Sequence, residues 1–116
     1  MGGVSFFTKA FGSDADEAFA RAVEEAEWRH GKAGYTGTIA EKPGYTVIPE
    51  EEHKNRDKEK YAGQLMAECD DRIDNKWGNA GAINLSGTQA AKKYRERKGL
   101  KGKHGSVWLF FGIASC

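Results

Sequence analysis

From residue 3 to 11 the chain reads Gly-Val-Ser-Phe-Phe-Thr-Lys-Ala-Phe, and the dominance of β-branched and aromatic side chains predicts a strand. The period then changes. Ala15, Phe19, Ala22, Val23, Ala26 and His30 recur at the three- and four-residue spacing of one helix face. Ser13 with Asp16 forms a capping-box pattern at its start, and Gly31 stands where the helix should close. Trp28 falls on the opposite, polar face among Glu17, Arg21, Glu24 and Glu25, which makes it a candidate partner surface or a contact with a second packed layer. Residues 34 to 49 read as a β-hairpin turned at Lys42-Pro43-Gly44, where Pro presets φ and Gly accepts the positive φ of a type II turn.

A charged stretch over residues 50 to 60 leads into a second periodic run. Tyr61, Leu65, Cys69, Ile73 and Trp77 recur every four residues and predict one amphipathic helix, weakened slightly by Gly63 and ended at Gly-Asn-Ala-Gly, 78 to 81. A short strand over 82 to 86, a third helix over 88 to 98 with Ala90, Ala91 and Tyr94 inward, and a strand over 106 to 114 follow. The last is the most apolar run of the chain and the expected central strand. The predicted order is β-α-β-β-α-β-α-β. It describes an α+β protein with a mainly antiparallel sheet and helices packed on one face.

Composition narrows the class. A chain of 116 residues and 39% hydrophobic content is expected to form one domain (1–116) with a single modest core. Its 13 aromatic residues argue against disorder. No apolar run approaches the roughly 18 residues of a membrane span. The start, Met-Gly-Gly-Val-Ser, lacks the basic and apolar regions of a secretory signal. The expected location is therefore the cytosol, with no membrane partner. The two cysteines, Cys69 and Cys116, fit a reducing compartment and form no disulfide framework.

The net charge of +1 seems to exclude a polyanionic partner, but a total says nothing about distribution. Residues 1–49 carry a net −2 and 50–75 a net −4, whereas 87–105 carry a net +6 from Lys92, Lys93, Arg95, Arg97, Lys98, Lys101 and Lys103 against Glu96. The positive stretch runs into the loop Gly99-Leu-Lys-Gly-Lys-His-Gly105. Glycine spacing lets backbone N–H groups approach phosphate oxygens while Lys and His104 supply charge. The competing reading is a solvated helix whose cations neutralise the acidic segment by intramolecular pairing.

Most motifs fail on context. Gly102-Lys-His-Gly105 has the form of a KH-domain clamp but precedes a predicted strand, and Gly99, Gly102 and Gly105 do not open a helix as a dinucleotide fingerprint must. His104-Gly-Ser106-Val resembles one copy of the two-histidine phosphoesterase motif, but at the second histidine, His30, Lys32 stands where the hydroxyl belongs. His30 and His104 remain the candidate acid/base pair of a small phosphodiester-cleaving enzyme. Glu50, Glu51, Glu52, His53 and Asp57 lack a recognised metal-ligand spacing and read as a solvated segment, so no metal or other cofactor is expected.

The segment His30-Gly-Lys-Ala-Gly-Tyr-Thr-Gly-Thr-Ile-Ala-Glu-Lys42, preceded by an acidic, Ala-rich helix, resembles a segment of small uncharacterised bacteriophage and prophage proteins. The resemblance covers about the first 50 residues. It implies a viral protein acting in the host cytosol, where inhibitors of host defence and nucleic-acid accessory proteins are common. Within this segment the glycines flanking Tyr35 and Thr36 are poor strand formers and mark a close approach of ligand or backbone.

The first reading is thus a non-enzymatic protein that binds nucleic acid or a nucleotide. Its binding residues are Lys92, Lys93, Arg95, Arg97, Lys98, Lys101, Lys103 and His104, with His30, Tyr35, Thr36 and Thr38 as secondary candidates. The alternatives are the His30/His104 enzyme, or an inhibitor that docks on a host protein through residues 50 to 74 and Trp28. A homo-oligomer is compatible with each.

Overall fold

The computed structural model describes residues 3–30, 39, 44–54, 56–68, 70, 73, 78–100 and 104–115. Eight elements follow in order: β1 (Gly3–Gly12), α1 (Ala15–His30), β2 (Tyr45–Val47), α2 (Glu50–His53), α3 (Lys58–Ala67), β3 (Ala80–Asn84), α4 (Gln89–Lys98) and β4 (Ser106–Ser115). The strands form one sheet in the order β1-β4-β3-β2. β1 and β4 pair antiparallel over ten residues without a slip, from Gly3 opposite Ser115 to Gly12 opposite Ser106. β4 also pairs antiparallel with β3, and β3 pairs parallel with β2. A parallel pair needs a long crossover, and α2 and α3 supply it. The protein is α+β with a mostly antiparallel sheet, and β4, the most apolar run, is central.

The helices do not share one face, as the sequence reading had them; the sheet lies between them. Along β4, Phe110 joins a cluster with Phe6, Ala10, Ala82 and, from α1, Ala18 and Ala22. Its neighbours Val107, Leu109 and Phe111 join the opposite cluster with Ile83 and Leu85, Ala62 and Leu65 of α3, and Ala91 and Tyr94 of α4. Successive strand residues point to opposite faces. A run apolar at both parities therefore needs cover on both sides, and that is the physical reason for the correction.

Three local expectations also change. The α1 cap sits one residue later than expected: Asp14 Oδ1 accepts from Glu17 N, and the Glu17 carboxylate accepts from Ser13 N, both at 2.9 Å. Of the hairpin's first arm and turn only Ile39, buried in the α1-side core, and Gly44 are among the described residues, while the second arm, β2, pairs parallel with β3. The helix expected to reach Trp77 ends at Ala67. Its last turn holds no basic residue, and Glu68 and Asp70 bring negative charge to the helix end that disfavours it. Ile73 still enters the core, from a turn. Cys69 and Trp77 lie outside the described residues.

Candidate functional site

The sequence-predicted site centres on α4, which is built from both ends. Thr88 accepts from Ala91 N with its hydroxyl oxygen and donates its proton to Leu85 O, the cap that starts the helix. At the other end Gly99 takes the left-handed conformation (φ 69°), and Leu100 N donates to Arg95 O at 2.8 Å. Gly99 is therefore a helix stop whose N–H is bonded back to the helix, so it offers nothing to an anion. α4 also points its carbonyl end at this loop, which favours the cations of its last turn but not a phosphate.

The basic residues divide by role. Arg95 lies 5.1 Å over the Phe11 ring and donates to Gly105 O at 3.1 Å, tying the loop after α4 to β1. It is taken up in the fold and leaves the set of free cations. Lys92, Lys93, Arg97 and Lys98 are exposed. None of the four forms an ion pair among the described residues, so within that set the basic helix does not neutralise the acidic segment. Arg97 and Lys98 place their charges 5.7 and 5.9 Å from the Tyr94 ring centroid. Burial raises the pKa of the Tyr94 phenol, and the Glu25 carboxylate adds to the rise against the pull of Arg97 and Arg21.

Beside this row runs a cleft of about 850 Å³. Phe7, Thr8, Lys9 and Leu109 come from the sheet, Tyr94, Arg97 and Lys98 from α4, Glu59 from α3, and Ala22, Glu25 and Ala26 from α1. Lys9 pairs with Glu59 at 2.8 Å. Phe7, half exposed, stands in the cleft. Sequence reasoning missed Phe7 and Lys9. The signal was the adjacent pair Phe6-Phe7: neighbours in a strand face opposite ways, so both cannot enter one core.

The other candidates are placed as follows. His104 is exposed. The His30 side chain, Tyr35, Thr36, Thr38, Lys101 and Lys103 lie outside the described residues. Trp28 is 88% exposed on α1, beside a hollow of about 680 Å³ that it forms with Arg21, Glu24, Glu25 and Glu27. Trp108 and Phe110 pack in the α1-side core. His53 is buried and pins the crossover: its Nδ1 accepts from Lys58 Nζ at 2.8 Å, which leaves Nε2–H facing Ile48 O at 3.4 Å. Among the described residues no three His, Cys, Asp or Glu side chains converge as a metal site. Nor is any helix among them long and apolar enough to cross a membrane.

Comparison of the chain with protein-family models, curated proteins and solved structures finds no match. The class that the fold defines is an α+β protein whose four-stranded sheet is covered on both faces. A cationic helix edge and an aromatic-floored cleft meet beside its outer strand β1.

Proposed function

We propose that the protein is a non-enzymatic binder of a phosphate-bearing ligand, nucleic acid or nucleotide, which it engages through Lys92, Lys93, Arg97 and Lys98 of α4. The setting belongs to the same proposal: an accessory protein or host-defence inhibitor of a bacteriophage, as the resemblance of residues 30–42 implies. The carrying observation is the position of Lys92 and Lys93. Lysines near a helix C-terminus are favoured by the macrodipole, but these two stand ahead of the last turn of α4, where that field gives them no support. Exposed and without an ion pair among the described residues, they contribute nothing evident to the fold. A ligand with its own negative charge accounts for them.

Anisotropy of a labelled single-stranded oligonucleotide between 50 and 200 mM salt tests this. Four phosphate contacts give a log–log slope of about −3, or a loss of about fifty-fold in affinity over that range. K92Q/K93Q should flatten the slope by about 1.4. Binding that ignores salt, or no binding to any polyanion, overturns the proposal.

A further inference from the structure

We infer that the phosphate-bearing ligand is a single-stranded nucleic acid and that Phe7 is the platform on which one of its bases stacks. The inference rests on the phosphate reading of α4 and adds a ligand class to it. α1 and α4 cover opposite faces of the sheet. A cleft that both line must therefore pass around the outer edge of the sheet, where β1 lies. At that edge Phe6 is 8% exposed and Phe7 51% exposed. The Phe7 ring lies nearly parallel to the fully buried Phe111 ring, at 12° and 6.4 Å between centroids. It is thus held against a buried neighbour while half of it stays open to solvent. A side chain already fixed in this way loses little rotamer freedom when a second flat ring stacks on it.

Charge decides what the cleft takes. It holds Lys9, Arg97 and Lys98 against Glu25 and Glu59, with Lys9 and Glu59 paired. That is too nearly neutral to be built for phosphate alone, yet two of its cations, Arg97 and Lys98, belong to the basic row on α4. An uncharged base in the cleft, with its phosphates along α4, satisfies both surfaces. The volume lies in the range of pockets that hold molecules of nucleotide size. A duplex keeps its bases stacked inside, whereas a single strand presents them to aromatic side chains.

The test compares wild type with Phe7→Ala, Phe7→Leu and Phe7→Trp on a twelve-residue oligothymidine, a hairpin duplex and inorganic polyphosphate, with thymidine monophosphate as competitor. Phe7→Ala and Phe7→Leu should weaken oligothymidine binding about 5- to 100-fold, the span of one lost stacking contact. Their salt slope should not change, because the lost contact is uncharged, and duplex and polyphosphate binding should be unaffected. Phe7→Trp should keep the affinity and add indole quenching by oligothymidine beyond that of the three native tryptophans. Phe7→Leu retains apolar volume and covers the case in which Phe7→Ala fails to fold.

If all three polyanions bind and the Phe7 variants bind oligothymidine as wild type does, the base platform is wrong while the phosphate reading survives. If none binds, both fail. A mononucleotide that competes as well as the twelve-mer overturns the single-strand assignment. So does a Phe7→Ala protein whose self-association changes on sedimentation while its oligothymidine affinity does not, for then Phe7 is a protein contact.

Discussion

α1 and α4 face each other across the sheet, and their charges are accounted for differently. In α1 the acids Asp16 and Glu17 occupy the first turn, where the helix field favours them. Glu17 caps Ser13 N and lies 3.5 Å from Arg21 one turn on. Local helix physics explains these side chains. In α4 it explains only the last turn: Arg95, Arg97 and Lys98 suit the negative end, and Arg95 is spent on Phe11 and Gly105. Lys92 and Lys93 are left over. The difference separates charge that builds the fold from charge available to a ligand, a distinction that net charge conceals.

The seats of the two helices differ as well. α1 closes on β1 through a missing side chain: a Cβ on Gly12 would clash with Ala18 N and come within 2.9 Å of Asp14 O, both backbone atoms that no rotamer change can move. Gly12→Ala is expected to destabilise the protein by about 1–3 kcal/mol, as overpacking does, measured by urea unfolding. Gly63, inside α3, is the control, since nothing lies within 4 Å of its would-be Cβ. Gly63→Ala should stabilise by about 1 kcal/mol through helix propensity alone. Equal effects at the two glycines would mean that the close seat of α1 is not a constraint.

Charge removal sharpens the contrast next. Glu24→Gln with Glu27→Gln on exposed or partly exposed α1 positions, neither lining the cleft, should leave oligonucleotide affinity within about twofold, because charges that do not touch the ligand act on it only through screening solvent. K92Q/K93Q should alter both affinity and salt slope. If the two pairs act alike, binding answers to net charge, and the row on α4 has no special standing.

Much of this architecture was legible in the chain because apolar runs dictate it. Ser106 to Ala114 announced a central strand, and Ala91 with Tyr94 announced α4, although Thr88, counted into the helix, proves to be its cap. The same runs held the clue to two-sided cover: Phe110 between Leu109 and Phe111 cannot be buried by helices on one face. The end of α3 was hidden because a four-residue period at Tyr61, Leu65 and Ile73 survives in the core even after the helix stops. Ile73 reaches the same cluster from a turn. The basic helix could be found by counting charge along the chain, but the cleft could not. It joins Ala22 and Ala26 to Tyr94 and Lys98 around a strand edge, and edge position depends on strand order, which periodicity does not encode.

The smallest expected effect concerns the link from α1 to the other end of the sheet. The Tyr45 hydroxyl donates a short hydrogen bond to the Asp16 carboxylate. Burial of the phenol, that hydrogen bond and the nearby charges of Asp16 and Asp14 push the Tyr45 pKa up to about 12 from its ordinary 10. The unfolded chain therefore loses this proton at lower pH than the native one. Between pH 10 and 12 the unfolded state binds fewer protons, so stability falls as pH rises; below pH 10 the contribution is fully present. Tyr94, also raised, adds its own slope, so the informative quantity is the difference between wild type and Tyr45→Phe. Urea midpoints of the two should converge as pH climbs from 10 to 12, with wild type the more stable at pH 9. Parallel curves across that range would show that Asp16 holds α1 to β2 without the phenolic proton, leaving the charges of α1 with no role beyond their own helix.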